Sequence, residues 1–348
     1  DLSKNMSQSD PIYVPSSAVY ALPVSPTAPG APEGINPPVP PPNVPTASSL
    51  LNEIGDVNEG GALEYLMQWH WPQGLQNIFV SNLKKIPLRF YILDDSGSMS
   101  SNDGHRLVDS PKGKTMVGCS RWEELTCSVK FLAGVAKASG AATEFRLLNS
   151  SAPIMIGNGD ANEADRYQIL MSLLSDSPGG GTPLCRHVRE VIEKIRPMEA
   201  QLRANGQKVC VVIASDGESS DGNIAEAMQP LRSLPVWVVI RLCTDDERIV
   251  EYWNNIDNEL ELEMDVLDDF TGEAQELFEH NPWLTYGEPM HRLREFGVPV
   301  KEIDLMDETS LSMDQIRRMC TIIFGGYIED YPHPEADFAG FLGVIQKN

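Results

Sequence analysis

The sequence predicts an α/β domain built on a doubly wound, mostly parallel central sheet flanked by helices, and three observations carry that expectation. Residues 86–93, 208–214 and 236–242 contain apolar runs of the kind found in strands buried on both faces. Helical periodicities separate these runs, so strand and helix patterns alternate as they do in layered α/β proteins. Two of the runs end directly on an oxygen-rich loop, at Asp94 and at Ser215-Asp216. In open α/β sheets the carboxyl ends of the strands are where ligands bind.

Taken in order, residues 86–93 leave an edge and become central where Tyr91, Ile92 and Leu93 are continuously apolar. Residues 102–118 are polar and carry Gly104, His105, Pro111 and Gly113, which makes them a long surface loop or hairpin. Ser120-Arg121-Trp122-Glu123 is a capping-box pattern that opens a helix through Leu125, Val129, Leu132 and Val135. Residues 143–148 and 153–156 read as strands and 164–174 as a helix. A long helix is expected over 182–203, with Val188, Val191, Ile192 and Ile195 on one face. The strands at 208–214 and 236–242 bracket a helical 223–234. Residues 248–259 read as helix, and 260–267 as a last strand in which Leu260, Leu262, Met264 and Val266 alternate with acids.

The flanks differ in character. Residues 1–46 form a Pro-rich arm: the first 45 positions hold 12 of the chain's 26 prolines, including Pro37-Pro38-Val39-Pro40-Pro41-Pro42, and no apolar period. Such a stretch is expected to be extended and polyproline-like, a linker or a ligand for an aromatic groove. Tyr13, Val14, Val19, Tyr20, Leu22 and Val24 are more large apolar groups than an inert linker needs, so contacts between copies of the chain, a homo-oligomer held by the arm, stay open. Residues 47–83 form a Trp-containing helical segment, in which Gly60-Gly61 is expected to separate two short helices and Trp69-His70-Trp71-Pro72 to pack on the core beside the first strand. Residues 84–268 form the α/β domain. Residues 269–348 are a C-terminal extension, with a helix at 271–279, an apolar-plus-basic patch at 283–286 and 291–296, a helix at 312–324 capped by Ser312, and a loop-like end containing Pro332 and Pro334. It is too short for a separate catalytic domain.

Charge narrows the partners. With 27 basic and 50 acidic residues the net charge is −23, and residues 245–348, with 7 basic and 25 acidic, contribute −18 of it. An acidic surface of this kind repels phosphate backbones and anionic lipid, which argues against nucleic acid. It suits a solvated face or a dock for a basic partner or divalent cations. No run is long and apolar enough to enter a membrane as a helix. The six cysteines are dispersed without C-x-x-C spacing and read as reduced thiols, which favours the cytoplasm and otherwise leaves the compartment open. Cys119 and Cys127, about two helical turns apart, are too distant to pair. The chain starts at Asp1, which is compatible with a removed leader.

Asp94-x-Ser96-x-Ser98 sets one carboxylate and two hydroxyls at alternate positions, with no His or Cys in the loop. An all-oxygen set suits Mg²⁺ better than Zn²⁺. Alone, Ser-Gly-Ser would read as an ordinary turn. Gly179-Gly180-Gly181-Thr182 and Ser215-Asp216-Gly217 add two further loops with oxygen donors at strand ends. In this order the three segments resemble the von Willebrand factor type A (vWA) family with its metal-ion-dependent adhesion site, over roughly residues 84 to 268. The resemblance implies that Ser96 and Ser98 bind a metal directly, that Thr182 binds directly or through water, and that Asp94 and Asp216 act through water and hydrogen bonds. It implies Mg²⁺ as the ion, with Mn²⁺ or Ca²⁺ as alternatives, and a last coordination position filled by a carboxylate of a partner protein. That is binding chemistry and not catalysis; the alternative is an assembly subunit, held by the arm and the Trp segment, with a vestigial site.

Two neighbours of the site, Asp95 and Glu218, read as solvated turn residues. The stretch 216–222 resembles a calcium loop only faintly, because Asp221 stands where the sharp-turn Gly belongs. A haloacid-dehalogenase-type phosphotransferase needs a second Asp at position 96, which is Ser, so no acid/base pair is in place and an enzyme is not expected.

Overall fold

The central strand β1 (Leu88–Leu93) is buried along its whole length, because it has a sheet neighbour on each side and a helical layer on each face. The computed structural model describes residue 51 and residues 54–347, apart from 112, 151, 245 and 261. The Pro-rich arm of residues 1–46 lies outside the described residues. The described residues cluster as one compact unit.

In chain order the elements are α1 (Glu59–Gln68), α2 (Gln73–Leu83), β1, the hairpin β2 (Gly104–Ser110) and β3 (Gly113–Cys119), α3 (Arg121–Ser139), β4 (Thr143–Leu147), β5 (Ile154–Ile156) and α4 (Glu163–Leu173). Then follow α5 (Leu184–Ile195), α6 (Glu199–Ala204), β6 (Val209–Ser215), α7 (Ile224–Met228), β7 (Val236–Leu242), α8 (Glu247–Leu260) and β8 (Met264–Leu267). The C-terminal part adds α9 (Phe270–His280), α10 (Glu288–Glu295), α11 (Lys301–Asp304), α12 (Met313–Phe324) and α13 (Phe338–Ile345). The main sheet has the order β5-β4-β1-β6-β7-β8, parallel except for β5, which runs antiparallel to β4 at one edge. It is the expected doubly wound α/β sheet of vWA/Rossmann-like form. The chain winds outward from β1 to β4 and β5, then returns to β6 on the other side, so the switch point lies at the carboxyl ends of β1 and β6.

Strand alternation sends Leu88, Phe90 and Ile92 to a core shared with α5, α7 and α8. Tyr91 and Leu93 point to the other core, against α1 to α4, α9, α10 and α12. The hairpin β2–β3 stands apart from the main sheet. With Trp69, Trp71, Phe131, Tyr286 and Arg292 it walls a cavity of about 860 Å³.

Several elements depart from the pattern reading. Gly60-Gly61 does not separate two helices: α1 runs through both, capped by Asn58 Oδ1, which accepts the Gly61 N–H at 2.9 Å. A Cβ at Gly61 would lie 2.2 Å from the Ala138 carbonyl oxygen, so this glycine lets α1 close on α3. The break falls instead at Trp69–Pro72, where His70 adopts φ 55° and Trp71 buries itself stacked on Phe131. The helix expected over 182–203 is interrupted by a 3₁₀ turn at Arg196–Met198, since Pro197 lacks the N–H that the helix needs. Residues 260, 262 and 263 are not strand: Trp253, Ile256 and Leu260, at helical spacing, keep α8 going, and β8 starts at Met264. The loop-like end contains a 3₁₀ turn at Ile328–Asp330 and the helix α13, capped by Asp337.

The basic stretch 291–296 is not a surface patch, because α10 is buried against the sheet. Its C-terminal carbonyls, the negative end of the helix dipole, meet donors from β1: Arg89 Nε donates to Phe296 O at 3.0 Å and Tyr91 Oη to Glu295 O at 2.7 Å. The Arg89 guanidinium lies 3.9 Å from the Phe296 ring centroid, and its burial lowers its pKa to about 10. Gly297 then ends the helix at φ 77°, where a Cβ would sit 2.1 Å from Cys210 Sγ on β6. Gly297→Ala is therefore expected to cost about 3 kcal/mol, from left-handed strain and overpacking together. Urea unfolding should show a lower midpoint, and Cys210→Ala in the same chain should restore part of the loss.

Candidate metal centre

The β1–β6 register places Asp94. Its N–H continues the ladder to Ala214 O at 2.9 Å, so its carboxylate emerges fully buried at the switch point. One oxygen accepts the Ser96 N–H at 2.9 Å and the other accepts the Ser215 hydroxyl at 2.6 Å. Burial raises the Asp94 pKa; these hydrogen bonds oppose the rise, and the nearby Asp216 charge adds to it. Met99, fully buried, pins the 3₁₀ turn Gly97–Ser100 that carries Ser98. The Ser96 and Ser98 hydroxyl oxygens lie 3.0 Å apart, and Ser98 Oγ donates to Asp216 Oδ1 at 2.8 Å. The hydroxyls of Ser96 and Ser98 and the Asp216 carboxylate thus form one hydrogen-bonded group of oxygen atoms, to which Asp94 is tied through the Ser96 N–H.

Thr182 sits on the adjoining loop. Its backbone exchanges hydrogen bonds with Ser220, which donates N–H to Thr182 O at 2.8 Å and accepts the Thr182 N–H on its hydroxyl at 3.1 Å. Its own hydroxyl makes no hydrogen bond to the other four residues among those described. The loop is nonetheless fastened to the first one, since Gly97 N–H donates to Gly180 O at 3.2 Å and Gly179 N–H to Asp95 O at 2.7 Å.

Three residues to which sequence reasoning assigned no part in the site hold this arrangement. Asp95 is not a solvated turn residue: its Oδ1 accepts both the backbone and the side-chain N–H of Asn149, at 2.9 Å each, and Asn149 Nδ2 also donates to Gly181 O. Asp221 accepts the N–H groups of Cys185 and Arg186 at 2.9 Å, so the loop after β6 caps the start of α5. Glu218 is exposed, as expected. The third is Arg121, the first residue of α3, whose Nη1 donates to Asp216 Oδ2 at 2.8 Å while Nε donates to Asp103 at 2.7 Å. Asp103 and Asp216 raise the Arg121 pKa against the opposing effect of its burial. The capping-box pattern announces the helix start, but nothing in the sequence says that this side chain turns toward a residue 95 positions away.

No protein-family profile matches the chain, and no curated protein matches it. Among solved structures, BatB, a conserved hypothetical protein from Bacteroides thetaiotaomicron, is similar at 15% identity and a TM-score of 0.34, covering 52% of this chain and 90% of its own. An aerotolerance-related membrane protein from Bacteroides fragilis, crystallised with multiple mutations to serine, is similar at 15% identity and a TM-score of 0.33, covering 55% and 96%. At these scores the reading of the fold rests on the chain's own strand order.

A second concentration of acid lies at the far edge of the sheet. Asp257, Asp265, Asp268, Glu276, Asp304 and Asp307 line a cavity of about 330 Å³ together with Arg294. Carboxylate oxygens of Glu273, Glu276 and Asp307 lie within 4.8 Å of one another. Arg294 is bonded to Asp265 at 2.9 Å, to Asp307 at 2.7 Å and to Glu273. One cation therefore serves many acids. Burial, with Asp269 and Asp307 nearby, pushes Asp268 up to about 6; partial burial and like charge push Glu276 to about 7 and Asp304 to about 6.

These pKa values lie above those of an unfolded chain, so the stability they contribute is complete below about pH 4 and is lost as pH rises through about 6 to 7. The melting temperature is accordingly expected to be several degrees lower at pH 8 than at pH 5.5. Asp268→Asn should flatten that slope in a series of melts across the range.

Proposed function

We propose that this chain is a non-enzymatic protein-interaction module that takes a divalent metal at Asp94, Ser96, Ser98, Thr182 and Asp216 and uses it to bind an acidic group of a partner protein. The observation that carries the reading is the cluster of two hydroxyls and two carboxylates gathered at the switch point of the sheet. Its donors are all oxygen, as a hard cation requires. Octahedral Mg²⁺, with oxygens at 2.0–2.1 Å, sets adjacent ligands about 2.9 Å apart, and seven-coordinate Ca²⁺ sets its equatorial ligands at about the same spacing. The 3.0 Å between Ser96 Oγ and Ser98 Oγ lets both hydroxyls reach one such ion. Ser96 and Ser98 would be the direct protein ligands. Asp94, tied up by Ser96 and Ser215, would orient the loop and supply charge from behind. With neutral hydroxyls in front and carboxylates behind, a bound metal keeps positive charge to offer a partner's carboxylate.

One observation favours the second reading, an assembly subunit whose site no longer takes metal: Arg121 already sets a cation on Asp216. Titration calorimetry of Mg²⁺ and Mn²⁺ into the full chain separates the two. One site is expected, weakened at least about tenfold by Ser96→Ala and by Asp216→Ala. Proteins captured by the immobilised chain in Mg²⁺ should be released by chelator, and capture that persists in excess chelator would refute the metal-dependent reading.

A further inference from the structure

We infer that Arg121 is a built-in competitor for the metal, a resident cation that holds the site closed until a divalent ion takes over the charge of Asp216. The inference rests on the metal reading above and concerns how that site is regulated. Asp216 is the shared element: Oδ1 faces the Ser98 hydroxyl and Oδ2 faces Arg121 Nη1, each at 2.8 Å. One carboxylate charge is thus divided between the proposed metal position and a guanidinium. The Asp216 side chain is 1% exposed and that of Arg121 15%, so bulk water screens the pair poorly.

The hold on Arg121 is itself constructed. Its planar fork meets Asp103 through Nε and Nη2 while Nη1 remains for Asp216, a division of donors that only a guanidinium can make. Its backbone N–H donates to Ser101 O at 3.0 Å, which anchors the residue at the end of the same loop that carries Ser96 and Ser98. Without a metal, Arg121 offsets the repulsion between Asp94 and Asp216, two carboxylates gathered at one strand end. With a metal present, the same guanidinium becomes a like-charged neighbour and draws off the Asp216 charge that the ion would use. The resident cation therefore stabilises the metal-free site and weakens metal binding.

Two measurements on the full chain test this, Mn²⁺ and Mg²⁺ titration calorimetry and thermal melts in chelator against saturating Mg²⁺. Arg121→Gln is expected to bind Mn²⁺ at least tenfold more tightly than the unsubstituted chain, and to melt lower in chelator with a larger rise on adding Mg²⁺. Arg121→Lys keeps the charge without the fork and should fall between the two; it also serves if Arg121→Gln does not fold. Metal binding that appears only in Arg121→Gln would support the inference. An unsubstituted chain that binds metal, with unchanged or weaker affinity in both variants, overturns the inference and leaves the metal reading standing. Absence of binding in all three chains overturns both.

Discussion

Arg241 stands on the inward face of β7, where no water reaches it, and the charge it carries has to be met there. Glu124 of α3 and Glu295 of α10 meet it, the latter at 3.2 Å. Both carboxylates are themselves buried, so none of the three can be left alone. Removing one partner of a buried pair typically costs about 3–5 kcal/mol, because the other charge is stranded. The pairing therefore acts as a registry device: it ties β7 of the sheet, the helix that begins beside the oxygen cluster, and a helix from the C-terminal part into one arrangement. Burial would raise the Glu295 pKa, but Arg292, His291 and Arg241 pull it well below the usual range and keep it ionised.

The candidate centre depends on that arrangement. Glu124 lies in the first turn of α3, accepting the His105 N–H at 2.9 Å as well as pairing with Arg241. Arg121 lies at the start of the same turn, so its approach to Asp216 follows from where Glu124 is held. The oxygen cluster is assembled from a loop after β1 and a loop after β6, while Asn149, Ser220 and Asp221 stitch in the loops around it. A site at the crevice between strand ends is rigid because the sheet beneath it is rigid, and its charge is set by side chains that arrive from the helical layer. The acidity of the C-terminal third has a comparable double character. Part of it is solvated surface, and part is gathered around Arg294, where a single cation leaves neighbouring carboxyls partly protonated near neutral pH.

Much of the architecture was legible from local pattern. The continuously apolar strands, the capping box at Ser120 and the three oxygen-bearing loops are each set within a few residues, and each reappears in the structure close to where the pattern puts it. Errors fell where a tertiary contact outweighed a local tendency. Gly60-Gly61 reads as a break, yet the close approach of α3 makes Gly61 the residue on which the helix packs. Residues 291–296 read as a basic patch because an isolated sequence shows charges and not their partners. Asp95 read as solvated because its partner, Asn149, lies 54 positions away.

The sequence by itself determined the α/β class, the strands that end on Asp94 and Asp216, and the set of oxygen donors, since these depend on side-chain periodicity and on residue identity within short windows. Only the tertiary structure decided that Ser98 meets Asp216, that the Thr182 hydroxyl makes no hydrogen bond to either, and that Arg121 sets a positive charge beside the cluster. Those outcomes depend on which strands become neighbours and on where buried charges find their counterions. Both are settled by packing the whole chain and by the cost of leaving a charge unpaired away from water.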